Sequence, residues 1–302
     1  MTERFLVAYD GSDQADAAVE LAFELAGGRG AVVTLAHVLE LPDPYPELPQ
    51  MAPGIERLIE LAEEDWQARL AALAAGAPTA ASVETEVLVA NNAAAALLEL
   101  LGERRADVLV AGTHGVRGGL KQTLLGSVSQ KLLEHAPCSV LLVRDRPRLE
   151  GSRVVVAGLD GSGAAPAVVA MAQRAASALS AQLVLAHVVN ERIPGYASID
   201  TTHALRDWAR DQGQRILDQA RAGIAAPLET VLEDLREGRV TDKLVAVCEE
   251  RRPVLAVVGS RGLHGFKGLL LGSTARHLVN NAPCPVLIVR TPSGEHPARG
   301  RS

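Results

Sequence analysis

The sequence predicts an α/β protein built of two tandem, doubly wound, five-stranded parallel sheets. Three observations predict it. Short apolar runs alternate with amphipathic helical stretches along the whole chain, the pattern of a parallel sheet covered by helices on both faces. The pattern occurs twice: VAYDGS at Val7–Ser12 returns as VAGLDGS at Val156–Ser162, and HAPCSVLLVR from His135 returns as NAPCPVLIVR from Asn281. Each half also carries a glycine-rich loop between an apolar strand and a helix start, GTHGVRGGLKQTLLGSVSQ from Gly112 and GSRGLHGFKGLLLGSTAR from Gly259. Asp10 pairs with Asp160, His37 with His187, Gly115 with Gly262 and Cys138 with Cys284 at a nearly constant offset. That is duplication of a whole domain and not a short-repeat solenoid.

Length and composition agree. A chain of 302 residues is about two domains. Hydrophobic residues make up 48% and aromatics only 3%, which points to Ala/Val/Leu packing in a soluble α/β protein. No apolar run approaches the roughly 18 residues of a membrane span, and MTERFLVAYDGS enters a strand without a signal-peptide layout. Three cysteines form no disulfide framework, so a reducing cytoplasm is expected, with Cys138 and Cys284 as core thiols. The net charge of −6 argues against nucleic acid as a partner.

In order, Phe5–Tyr9 is the first strand. Ser12 caps a helix over Asp13–Ala26, which Gly27-Gly28 stops. Ala31–Val38 is a nearly continuous apolar run, the mark of a second strand buried on both faces. The proline-rich stretch from Leu41 is loop. Ile55–Ala75 is an amphipathic helix containing Trp66, and Val83–Val89 alternates as a third strand. Asn91 is placed to cap a helix to about Glu103. Val108–Ala111, a helix from Ser127 to Glu134 and Ser139–Val143 complete the half. Arg144–Arg153 is the linker. The second half restarts at Arg153–Leu159, with strands near 183–189, 229–233, 254–258 and 286–290 and a Trp208 helix in the place of the Trp66 helix. The boundaries are 1–148 and 149–292, with 293–302 a disordered tail.

Ligands of doubly wound sheets bind at the carboxyl ends of the strands, where strand order reverses. Asp10, Val38 and Gly112 all lie at such ends. The glycines let backbone N–H groups approach a ligand, and the helix start adds free N–H groups, so the loop suits a phosphate. Asp10 and Asp160 read either as ligand contacts or as turn-forming residues. His37 and His187 read as hydrogen-bonded, partly buried histidines. Lys121 and Lys267 either neutralise phosphate or face solvent. Trp66 and Trp208 read as helix-packing anchors. No P-loop, zinc-ligand spacing or nucleophile elbow is present.

These residues resemble the universal stress protein family, in tandem, over essentially the whole chain but the tail. Its ATP-binding members carry G-x2-G-x9-G-[S/T]. Gly259, Gly262, Gly272 and Ser273 fit, with Thr274 following. Gly112, Gly115, Gly126 and Ser127 fit too, with Val128 following, but ten residues separate Gly115 from Gly126 instead of nine. The resemblance implies strand order 3-2-1-4-5, a Rossmann-like, adenine-nucleotide-hydrolase-like fold, and ATP as ligand. Asp10 and Asp160 match its strand-end aspartate, and Val38 and Val188 match the position flanking adenine. Mg²⁺ is expected to arrive on the nucleotide's phosphates. Under that order the fifth strands are apolar sheet edges, so the halves are expected to pair through them; a homodimer of whole chains stays open. The function implied is ATP-binding regulation of a stress response. A slow ATPase or nucleotide hydrolase and a nucleotide-independent interaction module are the alternatives.

Overall fold

The computed structural model describes residues 2–27, 30–41, 54–78, 81–115, 125–147, 149–151, 153–190, 199–225, 228, 230–260 and 271–291. The first half runs β1 (Arg4–Ala8), α1 (Asp13–Ala26), β2 (Val32–Glu40), α2 (Ile55–Ala75), β3 (Ser82–Ala90), α3 (Ala93–Arg104), β4 (Val108–Gly112), α4 (Ser127–His135) and β5 (Ser139–Val143). The second repeats it as β6 (Val154–Leu159), α5 (Ala165–Ala178), β7 (Gln182–Val189), α6 (Ile199–Ala222), β8 (Val231–Glu237), α7 (Val240–Arg251), β9 (Leu255–Gly259), α8 (Ser273–Asn281) and β10 (Val286–Val289).

Within the first half the order is β3-β2-β1-β4-β5, all parallel. The second half repeats the order, and the two five-stranded sheets join into a single ten-stranded one. The join is β5 against β10, antiparallel, with Leu141 opposite Leu287. Every residue of β5 and β10 is buried, so the two apolar edges cover one another. The outer edge strands solve the same problem with charge. On β3, Glu84 and Glu86 pair with Arg104; on β8, Asp234 pairs with Arg236 and Arg251. β8 spans Val231–Glu237, running on through charged residues beyond the strand expected near 229–233.

The pleat divides the core. Phe5 and Val7 face a layer of α1, α2, α5 and α6, while Leu6 faces α3, α4, α7 and α8. Ser12 caps α1 as expected, its hydroxyl accepting from the Ala15 N–H at 3.2 Å, with Asp13 and Asp16 in the positive first turn. The cap of α3 is one residue later than expected. Asn92, not Asn91, sits in extended conformation and accepts from the Ala95 N–H at 3.0 Å.

Candidate functional site

Strand order reverses between β1 and β4, and a cavity of about 800 Å³ opens at their carboxyl ends. Asp10, Val38, Gly112, Gly115, Gly126, Ser127 and Val128 all line it. Three loops that are distant in sequence build it.

The first is the β1–α1 turn. Asp10 Oδ1 accepts from the Ser12 N–H at 3.1 Å and the Ser12 hydroxyl at 2.6 Å, and Gly11 takes the left-handed φ of +79° that the turn requires. Asp10 therefore forms the turn and faces the cavity. Asp160 does the same for its turn, accepting from the Ser162 N–H at 2.9 Å.

The second loop follows β4. A Cβ on Gly115 would lie 2.4 Å from Asp10 Oδ2, and one on Gly112 would lie 3.0 Å from Gln14 Cβ. Both glycines are needed for close approach. The loop closes where the Gly126 N–H donates to Thr113 O at 2.8 Å. Gly126 then N-caps α4 with no side-chain cap and no acid in the first turn, leaving the free N–H groups and positive dipole end that suit an anion. Beside them stands His114. Its Nδ1 is 3.0 Å from the Thr113 hydroxyl, and its buried Nε2 has no hydrogen-bond partner.

The third wall is the end of β2. His37 Nδ1 donates to Tyr9 O at 2.8 Å. Burial lowers the imidazole's pKa, partly offset by that hydrogen bond. Trp66, from α2, stacks on the imidazole with centroids 3.5 Å apart and planes at 13°. Arg69 lies 4.9 Å from the indole centroid, and Tyr9 meets the indole edge-on. Burial, then the hydrogen bond to Asp16, pushes the Tyr9 phenol up to about 12, so it stays protonated.

The second half reproduces the frame. His187 Nδ1 donates to Leu159 O at 2.8 Å, and the Gly272 N–H donates to Ser260 O at 2.7 Å. The nine- and ten-residue spans thus end on the same backbone hydrogen bond, so the extra residue does not displace the start of α4. Val188 is buried at the end of β7, and Gly272 N-caps α8 ahead of Ser273 and Thr274 without a side-chain cap. Gly259 ends β9. Gly262, Lys121 and Lys267 lie outside the described residues.

Trp208 is not the counterpart of Trp66. Gln67 and Gln214 make equivalent hydrogen bonds to β3 and β8, and Leu70 and Leu217 are both fully buried. That register sets Trp66 opposite Gly213, Arg69 opposite Ile216 and Leu61 opposite Trp208, which is 62% exposed. Tyr9, Arg69 and His114 are wall residues that the sequence did not single out, and Trp66, read from the sequence as a helix-packing anchor, is a wall residue as well. His114 stands between two motif glycines, which is a signal. Trp66 and Arg69 reach the cavity only through the packing of α2.

Among the described residues no three His, Cys, Asp or Glu side chains are grouped to hold a metal, and no helix is long and apolar enough to cross a membrane.

Residues 1–144 and 151–290 each match the Universal stress protein family. A universal stress protein of Mycolicibacterium smegmatis is 30% identical over 290 residues, covering 94% of this chain and 96% of the relative. One from Mycobacterium tuberculosis is 29% identical over 305 residues, with the same coverage. The crystal structure of a putative universal stress protein from Pseudomonas aeruginosa superimposes with a TM-score of 0.66 at 18% identity, covering 95% of this chain and 93% of that one, which shows the shared fold. With both halves matched and the strand order in place, the chain belongs to the universal stress protein family.

Proposed function

We propose that this chain is a cytoplasmic ATP-binding regulatory protein of the stress response, with nucleotide held at the glycine loops of both halves. The observation that carries the reading is the convergence of seven motif residues on one cavity. The residues fit a nucleotide. Gly115 lets the loop backbone pack against the Asp10 carboxylate, where a Cβ would clash at 2.4 Å, and His114 Nε2 is a buried nitrogen without a partner. In this reading the loop and first-turn N–H groups of α4 bind the phosphates, which bring Mg²⁺ with them. Asp10 and Val38 hold the nucleoside. Asp10 is already engaged by Ser12, which suits positioning better than proton abstraction. The test is nucleotide analysis of the purified protein after acid release. Retained ATP supports binding without fast turnover. Retained ADP supports a hydrolase, and a chain that carries no nucleotide and gains none from added ATP overturns the reading.

A further inference from the structure

The two halves share the histidine frame but not what covers it. In the second half α6 covers His187 with Gly213. A Cβ there would lie 2.9 Å from the imidazole and 2.8 Å from Leu235, and Ile216, one turn on, covers the turn glycine Gly161. In the first half the indole of Trp66 does both tasks. It stacks on His37, and its Cη2 lies 3.1 Å from where a Cβ on Gly11 would be. The position of Ile216 is thereby released, and Arg69 occupies it. Tyr9 likewise replaces Leu159. An aromatic, cationic wall in the first half stands where the second has an aliphatic one.

His37 stacks on the indole, the Arg69 guanidinium lies 4.9 Å from its centroid, and both Trp66 and Arg69 line the cavity. An aromatic ring favours edge-to-face or offset contact with another ring, and the neighbouring guanidinium donates to ring acceptors. We propose, resting on the nucleotide reading above, that Trp66 and Arg69 make the first half selective for a purine base, a selectivity the second half lacks.

The chain has two tryptophans, so Trp208→Phe leaves Trp66 as the sole one. That chain is titrated with ATP, CTP and inorganic tripolyphosphate, by fluorescence and by calorimetry. Trp66 emission should respond to ATP at concentrations about two- to tenfold below those of CTP, the ratio an aromatic pair's contribution implies. Tripolyphosphate should release heat without moving the emission. In calorimetry Trp66→Leu should bring the ATP-to-CTP ratio of the first site down to that of the second, while Trp66→Phe keeps it. Should the leucine chain fail to fold, Arg69→Gln, an exposed position, should narrow the ratio. Equal midpoints for ATP and CTP, or ATP heat with no change at Trp66, overturn this inference and leave the nucleotide reading standing. No heat with either ATP or tripolyphosphate overturns both.

Discussion

Arg144 and Arg290 are crossed: each leaves the last strand of its own half and binds the C-terminal carbonyls of the other half's final helix. Arg144 Nη2 donates to Val279 O at 2.8 Å and Asn280 O at 2.6 Å. Arg290 Nη2 donates to Leu133 O, and to Glu134 O at 3.3 Å. Each cation meets the negative end of a helix dipole as well as its unsatisfied carbonyls. Both arginines end the repeated APC motif, so duplication made the clamp reciprocal. Arg144→Ala and Arg290→Ala are each expected to lower stability by about 1.5–3 kcal/mol, the range for hydrogen bonds to charged groups. Urea denaturation of both variants checks this. Unchanged midpoints would mean that strand pairing alone holds the junction.

Gly115→Ala should weaken ATP binding at the first half by about tenfold or more, since the methyl group must displace the Asp10 carboxylate from its place beside the loop. Ser12 still holds Asp10 in its turn, so the melting temperature should move little. Calorimetry and a melting curve on the same variant separate the two effects.

The unequal loops predict unequal affinity. The first half has one more residue to fix on binding, at about 1–2 kcal/mol per residue fixed, so the second half should be the tighter site. Calorimetry on full chains carrying Gly115→Ala or Gly262→Ala singly ranks them. Survival of the tighter site in the Gly262→Ala chain reverses the ranking.

His37 sets an acid limit. Its folded pKa is lowered, with burial the leading cause. Below the unfolded value of about 6.5 the unfolded chain takes up a proton that the folded chain refuses. Stability should therefore fall as pH drops from about 6.5 toward the lower folded pKa, and this contribution should be absent above that window. His37→Gln should flatten the slope of urea midpoints over that range. A slope unchanged by the substitution would assign the acid sensitivity to other groups.

The thiols should be inert in the native protein. Burial pushes Cys138 up to about 11. A hydrogen bond with the Cys248 thiol, and then burial, hold the Cys284 thiol well above its ordinary value. A thiol reagent at pH 8 should label none of the three cysteines until denaturant is added. Rapid labelling of the native chain would contradict this.

What the sequence determined by itself is what short stretches encode. Apolar strands read as strands because burial on both faces leaves few polar positions in them. Asp10 and the glycine pattern read as a site because a turn at a strand end needs those residues within a few positions. Even the join of β5 to β10 was legible, since an all-apolar edge requires a cover. Tertiary structure alone decided how each long helix sits on its sheet. A helix presents a new residue about every 100°, and which one meets the histidine is fixed by the seating of Leu70 and Leu217, not by matching tryptophans in the sequence. That packing placed Trp66 on His37 and Gly213 on His187 and turned Trp208 outward. It also left β8, whose charges are paired across the sheet edge to Glu250 and Arg251, without the apolar alternation by which a strand is recognised. Contacts between residues far apart in the chain, and not local periodicity, made the coverings of the two histidines different.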